Sequence, residues 1–220
     1  MQLTIINGSP RGSSGNTQKL LSRFISGFEE TEENSTETFF IIKERRDFSG
    51  LLSSFKESET VLLGFPLYVD AMPGIVKEFI ESLSPLMDEK HGPDLIFMVQ
   101  SGFPETHHTR FIQAYLQKLS SRINCRCIGC IMKGGCEGLE VQPAGMVEKI
   151  FSLFYRIGKE FGETGIIDEK LLAKLAFPEN LTSENLKMVI PFVNSAMWDE
   201  RMKKHDALEK SRDKPFGTGL

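Results

Sequence analysis

The chain has 220 residues, of which 40% are hydrophobic and 25% charged, and its formal net charge is −4. Its length and composition are those of one globular domain, or of one domain with an appendage. The slight acidity argues against nucleic-acid binding, and we expect no membrane span because no apolar run approaches the length that a bilayer requires.

The first predicted strand, residues 2–7, leads into a loop rich in glycine and hydroxyl side chains, Gly8–Thr17, and then into a predicted helix at 16–28. Free N–H groups and the positive dipole at the start of a helix suit a bound phosphate. The loop lacks both the Walker lysine and the G-x-G-x-x-G pattern, so a terminal monophosphate fits better than a polyphosphate or a dinucleotide. The alternative is an ordinary helix cap.

Apolar runs alternate with helical patterns along the next part of the chain. Further strands are predicted at 36–42, 60–65, 94–100 and 125–132, and further helices at 46–58, 73–88, 108–122 and 143–162. Five β–α repeats argue for an α/β fold with a doubly wound parallel sheet. Right-handed crossovers would then bring the strand-to-helix loops together at one edge of that sheet.

The loop after the third strand, residues 66–74, is unusually apolar. Leu67, Tyr68, Val69 and Met72 lie between two prolines that end the strand and begin the helix. Exposed apolar side chains on a loop suit a flat aromatic ligand. Packing beneath the loop, or a subunit contact, is the alternative.

The loop after the fourth strand, Ser101–Glu105, combines small residues with one aromatic side chain, Phe103. His107 and His108 come next, at the start of the following helix. We expect these histidines to be solvated and to hold no metal, since no carboxylate or further histidine lies at ligand spacing.

Four cysteines occur within twelve residues as C-x-C-x2-C-x5-C: Cys125, Cys127, Cys130 and Cys136. Such a group can hold an iron–sulfur cluster or zinc. Alternation along the fifth strand would place Cys125 and Cys127 on one face and Cys130 on the other, which favours core packing without metal. We therefore expect reduced thiols and a cytoplasmic protein.

The two loops together resemble a known family. The first loop contributes Gly8-Ser-Pro-Arg11 with Gly15-Asn-Thr17, and the second Pro66-Leu-Tyr68 with Met72-Pro-Gly74, followed by Lys77 four residues before Glu81. In these features the chain is similar to the NAD(P)H-dependent FMN reductase group of the flavodoxin-like superfamily. The resemblance covers about residues 1–165. It implies a five-stranded sheet of order 2-1-3-4-5, with FMN at the carboxyl edge of the strands.

The resemblance also implies which residues contact FMN. Its phosphate would be held by Ser9, Arg11, Ser14, Asn16 and Thr17. Its ring system would be bordered by Pro66, Leu67, Tyr68, Val69 and Asp70, with a backbone N–H of that loop near the flavin N5, and at another ring edge by Ser101, Gly102 and Phe103. Such enzymes are commonly homodimers whose partner helps to close the flavin site.

The function so implied is an oxidoreductase that passes electrons from NADH or NADPH through FMN to a small acceptor, such as a quinone, a nitro or azo compound, or free flavin. Hydride transfer to a flavin needs no side-chain acid or base, so no catalytic residue is predicted. Three alternatives stay open: a flavodoxin-type electron carrier, an iron–sulfur flavoprotein that uses the four cysteines, and a flavin-free regulatory protein.

Residues 166–220 lie beyond the predicted flavodoxin-like domain, 1–165, and we expect them to form a helical extension. Apolar residues recur at helical spacing from Leu171 to Ala176, up to Pro178, and again from Leu186 to Trp198 after a cap at Ser183. Pro191 should kink or divide the second helix. We expect the extension to complete a homodimer near the flavin, with packing on its own domain as the alternative.

Overall fold

The computed structural model describes residues 1–85 and 91–214. Its five strands form one parallel sheet in the order β2-β1-β3-β4-β5, which confirms the predicted topology. The strands are β1 (Gln2–Asn7), β2 (Ser35–Phe40), β3 (Thr60–Pro66), β4 (Asp94–Gln100) and β5 (Arg126–Lys133).

Helices follow each strand. They are α1 (Asn16–Phe28), α2 (Ile41–Glu44), α3 (Ser49–Glu57), α4 (Gly74–Ser82), α5 (Arg110–Arg122), α6 (Ala144–Thr164) and α7 (Glu169–Leu175). The predicted second strand ran to residue 42, but the chain turns into α2 at Ile41, whose side chain is buried in the core. The predicted helix at 73–88 is observed as α4, and its last residues, 86–88, lie outside the described part of the chain.

The sheet is buried on both faces. Side chains alternate along a strand, so Val61 of β3 belongs to one apolar cluster and Leu62 to the other. On one side the strands pack against α3, α4 and α5, and on the other against α1, α6 and α7. Helices α1 and α6 approach so closely that a Cβ atom on Gly27 or Gly158 would overlap the backbone of the opposite helix.

The chain divides into two compact units, Met1–Asn180 and Leu181–Leu220. Residues 166–180, the first part of the extension predicted from the sequence, lie in the first of these units together with the sheet. The reason is burial: Ile167, Leu171 and Leu175 are 1–6% exposed and pack in the core cluster that contains α6. The apolar stripe of α7 therefore packs on its own domain.

The second unit is helical, as predicted. It contains α8 (Ser183–Phe192), a π-helical turn (Val193–Asp199) and α9 (Glu200–Lys204). The cap is Thr182 rather than Ser183, since the Thr182 hydroxyl accepts the Asn185 N–H at 3.2 Å. Pro191 lies in the last turn of α8 and, because it has no N–H, removes a helical hydrogen bond where the π-helical turn begins. Residues 215–220 of the predicted extension lie outside the described residues.

Across residues 1–85 and 91–214, none of the helices combines the length and apolarity needed to span a membrane.

Candidate functional site

Buried polar residues end strands β1 and β4 at the carboxyl edge of the sheet and fix the loops that leave it. Asn7, at the end of β1, accepts the Ser9 N–H at 2.8 Å on its Oδ1 atom and donates to Gln18 Oε1 at 2.9 Å. Gln100, at the end of β4, accepts the Leu67 N–H at 2.7 Å on its carbonyl oxygen. The loops after β1, β3 and β4 thus start from one polar edge of the sheet.

The glycine- and hydroxyl-rich loop presents its charged and polar groups outward. Gly12 has φ +53°, a left-handed conformation that favours glycine, and it begins a short 3-10 turn that ends at Ser14. Arg11 and Ser14 are exposed, and the Ser14 hydroxyl donates to the Arg11 carbonyl at 2.9 Å. Ser9 is buried, and its Oγ accepts the Arg11 N–H at 3.2 Å. The loop therefore offers a cation and a hydroxyl to solvent on a tightly bonded base.

The N-terminus of α1 has no side-chain cap among the described residues. The N-cap is Gly15, and the first intrahelical bond is made by Gln18, whose N–H donates to the Gly15 carbonyl at 3.1 Å. The N–H groups of Asn16 and Thr17 precede that bond. The structure therefore does not support the alternative that this loop is an ordinary helix cap, because none of its hydroxyl groups caps the helix.

Asn16 and Thr17 are also bonded to neighbouring loops and strands. The Asn16 amide donates to the Cys136 carbonyl at 2.6 Å, which ties the first loop to the loop after β5. The Thr17 hydroxyl is fully buried and accepts from the Gln100 amide at 3.4 Å. In this structure both side chains brace the loop, and Asn16 is the one that keeps exposed surface.

The apolar loop after β3 forms a tight turn. Tyr68 and Ala71 exchange two backbone hydrogen bonds, and Val69 and Asp70 between them have φ +48° and +62°. Pro66 and Leu67 are buried beneath it, whereas Tyr68 is 47% and Val69 97% exposed. A positive φ at a β-branched residue is a genuine outlier, and strained backbone of this kind clusters at binding and catalytic sites.

The loops after β4 and β5 are joined to each other by backbone hydrogen bonds. The Cys136 N–H donates to the Ser101 carbonyl at 2.8 Å, and the Gly135 N–H donates to the Phe103 carbonyl at 2.5 Å. Ser101 is buried and Gly102 exposed, and the Phe103 ring is 62% exposed. Together with the Asn16 bond, these contacts bring the first, fourth and fifth loops to one place at the sheet edge.

The histidine pair differs from its prediction. A 3-10 turn over Thr106–Thr109 brings His107 and His108 together with Glu105, so that one ligand atom from each lies within 4.8 Å of the other two. The expectation that no carboxylate lies at ligand spacing was therefore wrong. The sequence indicated the start of a helix here, whereas the two histidines lie on a tighter 3-10 turn that follows an extended Glu105.

Lys133 is a residue that the sequence did not single out. It ends β5, is 6% exposed, and its ammonium group donates to the Phe177 carbonyl at 3.0 Å. Burial lowers the pKa of this lysine below its ordinary value. Its position directly before the fifth loop was the available signal.

The cysteines of β5 do not alternate as predicted. A β-bulge pairs Leu95 with Cys127 and Ile96 with Gly129, so Ile128 is an extra residue. The bulge returns Cys130 to the face of Cys127, and the two sulfur atoms lie 3.6 Å apart. The predicted separation of these side chains was wrong for that reason.

The environment of each thiol sets its pKa. The hydrogen bond from Cys130 lowers the pKa of Cys127 to about 7, and the same contact raises that of Cys130. Burial raises the pKa of Cys125 to about 11 and that of Cys136 to about 12. Only Cys127 in this group combines partial exposure with an easily formed thiolate.

Comparison with known proteins gives structural relatives alone: no protein-family model matches the chain, and no curated protein matches it. An FMN-dependent NADH-azoreductase from Bacillus anthracis, solved with FMN, is 14% identical, with a TM-score of 0.59 over 74% of this chain and all of that one. An NADH:FMN oxidoreductase in its apo form is 14% identical, with a TM-score of 0.57 over 80% of this chain and 96% of its own.

A third solved structure, an NADPH-quinone reductase from P. pentosaceus, is 13% identical, with a TM-score of 0.54 over 71% of this chain and 96% of that one. At such identities a structural likeness establishes the fold. The chain therefore has the flavodoxin-like fold, in common with these three solved structures.

Proposed function

We propose that this protein is an FMN-dependent NAD(P)H oxidoreductase that passes electrons from a nicotinamide to a small acceptor. The observation that carries the proposal is the start of α1, where a helix end without a side-chain cap lies beside an exposed arginine and serine. Such an end carries partial positive charge and unpaired N–H groups, and both stabilise a phosphate.

The phosphate of FMN would be held by the first loop. Arg11 would supply charge and Ser14 a hydroxyl donor, while the N–H groups at the start of α1 complete the donor set. Asn16 has exposed surface beside them. Ser9 and Thr17 are buried, so contact from their side chains requires the loop to open slightly.

The isoalloxazine would be bordered by the turn after β3 and the loop after β4. Pro66 and Leu67 form the buried base of that turn, Tyr68 and Val69 its exposed apolar part, and Asp70 its polar tip. Ser101, Gly102 and Phe103 would border the ring from the fourth loop. Exposed aromatic and aliphatic side chains beside a phosphate loop fit a flat ligand with one anionic end.

When bound, FMN supplies the hydride and electron chemistry itself. The residues of this chain would bind and orient it. No side chain is required as an acid or base, and we assign none. The three structural relatives, an azoreductase, an NADH:FMN oxidoreductase and an NADPH-quinone reductase, support this reaction class and the range of small acceptors.

Anaerobic stopped-flow spectroscopy with NADH and with NADPH tests the enzyme assignment. We expect rapid bleaching of the FMN absorbance by at least one of them, followed by reoxidation when a quinone or an azo dye is added. Reduction by dithionite but by neither nicotinamide would instead identify an electron carrier. Iron bound in stoichiometric amount would favour the iron–sulfur alternative, and a colourless protein that takes up no FMN would favour a regulatory role.

We further propose a homodimer. The support is the second unit, where apolar side chains of α8 are 37–68% exposed at Leu186, Met188, Ile190 and Phe192, and Trp198 is 52% exposed. Large apolar and aromatic residues of this kind are enriched at interfaces. Light scattering on the full chain and on a chain ending at Asn180 tests this: we expect a dimer for the full chain and a monomer for the shortened one.

We also propose a cytoplasmic location, because four free cysteines suit a reducing compartment.

A further inference from the structure

We propose that Glu105, His107 and His108 form a binding site for a divalent transition-metal ion, of the kind that zinc, cobalt and nickel represent. One ligand atom from each residue lies within 4.8 Å of the other two, and all three side chains are partly exposed, so an ion can reach them. The proposal does not depend on FMN, because it rests on these three side chains and their supports alone.

The separation between His108 and Glu105 matches metal coordination. The Nε2 atom of His108 lies 3.7 Å from Oε2 of Glu105. Two ligands bound at about 2.0–2.2 Å from one zinc ion lie roughly 3–4 Å from each other. A shift of a few tenths of an ångström is therefore enough to close the pair around an ion.

His107 has the support that metal-binding histidines usually have. Its Nδ1 atom lies 3.3 Å from the Glu179 carbonyl oxygen, and its backbone N–H donates to the same oxygen at 3.1 Å. In the tautomer with a proton on Nδ1, this contact fixes the ring and leaves the lone pair on Nε2 for a metal.

The ring of His108 and the backbone of the segment at Thr106 are held in place as well. The His108 ring lies 4.0 Å from the His107 ring and 4.8 Å from the Phe103 ring, measured between centroids. The Thr106 N–H donates to the Pro178 carbonyl at 3.0 Å, and the Thr106 hydroxyl accepts the Gly134 N–H at 3.0 Å. The cluster therefore lies on a segment bonded from two sides, which reduces the entropy lost when an ion binds.

Charge and ligand type favour the same class of ion. The Glu105 carboxylate supplies the negative charge, and the neighbouring Arg110 guanidinium is bonded to the Glu179 carboxylate, so that its charge is compensated. Two imidazoles and one carboxylate suit zinc, cobalt or nickel better than calcium or magnesium, which prefer oxygen ligands alone. Three protein ligands leave coordination positions open for water or a small anion.

The test uses the full chain after treatment with a chelator. Calorimetric titration with Zn²⁺ should show one ion per chain with micromolar affinity, and Co²⁺ should give visible bands of nitrogen and oxygen ligation. Each of Glu105→Gln, His107→Asn and His108→Asn should weaken Zn²⁺ binding by at least about 10-fold. His91→Asn, at an exposed histidine elsewhere, is the matched control and should leave the affinity unchanged.

The vicinal thiols of Cys127 and Cys130 are the competing site, so the same titration is run on Cys127→Ser. Loss of binding in that variant, with an intense thiolate band for Co²⁺ in the wild type, would overturn the proposal. So would millimolar affinity in the wild type, or unchanged affinity in the double variant His107→Asn/His108→Asn. Far-ultraviolet circular dichroism verifies the fold, and the wild-type titration decides the question even if a variant fails to fold.

Discussion

Tyr68 and Ala71 exchange two backbone hydrogen bonds, of 2.8 and 3.1 Å, and so force Val69 into a left-handed conformation at φ +48°. The Val69 side chain is 97% exposed and gains nothing from burial in return. A β-branched residue with positive φ costs on the order of 1 kcal/mol or more. The turn thus keeps a strained, apolar tip at the carboxyl edge of the sheet, where the loop Gly8–Thr17 also begins.

Replacing Val69 by asparagine should stabilise the fold, because asparagine tolerates the left-handed region far better than valine. We expect the free energy of unfolding in urea to rise by about 1 kcal/mol. Val141→Asn is the control, since Val141 is 43% exposed and its φ is not positive, and should change stability by less than about 0.5 kcal/mol. Equal effects at both positions would show that the turn stores no strain.

Tyr68→Ala tests whether the same turn borders the flavin. Tyr68 is 47% exposed, so its removal should leave the unfolding midpoint nearly unchanged. If the ring packs on FMN, the affinity should fall by about 10-fold, the equivalent of about 1.4 kcal/mol. Fluorescence titration with FMN measures this. If the variant instead has a much lower unfolding midpoint but an unchanged affinity for FMN, the role of Tyr68 is structural.

Cys127 should be the reactive cysteine. With a pKa of about 7, its alkylation by iodoacetamide should reach half its maximal rate near neutral pH, whereas Cys125 and Cys136, with pKa values of about 11 and 12, react little. Cys130→Ala removes the hydrogen bond that stabilises the thiolate, so the half-maximal pH should rise towards about 8.5. Mass spectrometry locates the label. An unchanged pH profile in Cys130→Ala would contradict the pairing of the thiols.

The ion pair between Glu179 and Arg110 should make stability depend on pH. Arg110 donates to the carboxylate and holds the pKa of Glu179 below its ordinary value. Its contribution is therefore present above the unfolded pKa, about 4.3, and is lost as the pH falls through the lower folded value. Both side chains are more than a third exposed, so Glu179→Gln should cost only about 0.5–1 kcal/mol at neutral pH.

Urea unfolding of wild type and Glu179→Gln, at neutral pH and at about pH 3, measures the change. The difference in unfolding free energy between the two proteins should become smaller in acid. Glu32→Gln, in the exposed turn between α1 and β2, is the control and should behave as wild type at both values. A gap that stays constant would show that the ionised pair is not its source.

Much of the fold follows from local pattern. Short, continuously apolar segments such as Val61–Phe65 indicate strands buried on both faces, and the alternation with amphipathic helices determines the parallel topology. The bulge at Ile128 could not be foreseen, because it depends on pairing with β4 and not on the composition of β5. For the same reason the neighbouring thiols of Cys127 and Cys130 appeared only in three dimensions.

At the candidate site, the sequence indicated which loops meet but not how they are bonded. The burial of Thr17 and the bond from Asn16 to Cys136 depend on residues far apart in the chain. The packing of Ile167 and Leu171 against the core corresponds to the alternative left open for the extension, since an amphipathic helix does not specify which surface it covers. The closeness of Glu105 to the histidine pair could not be predicted either, because it depends on the local 3-10 turn.

The central claim is that the loop at the start of α1 holds the phosphate of FMN, and comparing FMN with riboflavin tests it most directly. Several hydrogen bonds to a charged group, each contributing about 1.5–3 kcal/mol, should make FMN bind to the flavin-free protein at least about 100-fold more tightly than riboflavin does. Arg11→Ala should lower the affinity for FMN while leaving the affinity for riboflavin unchanged, so that the difference between the two affinities becomes smaller. Equal affinities for the two flavins, or no binding of either, would contradict the account.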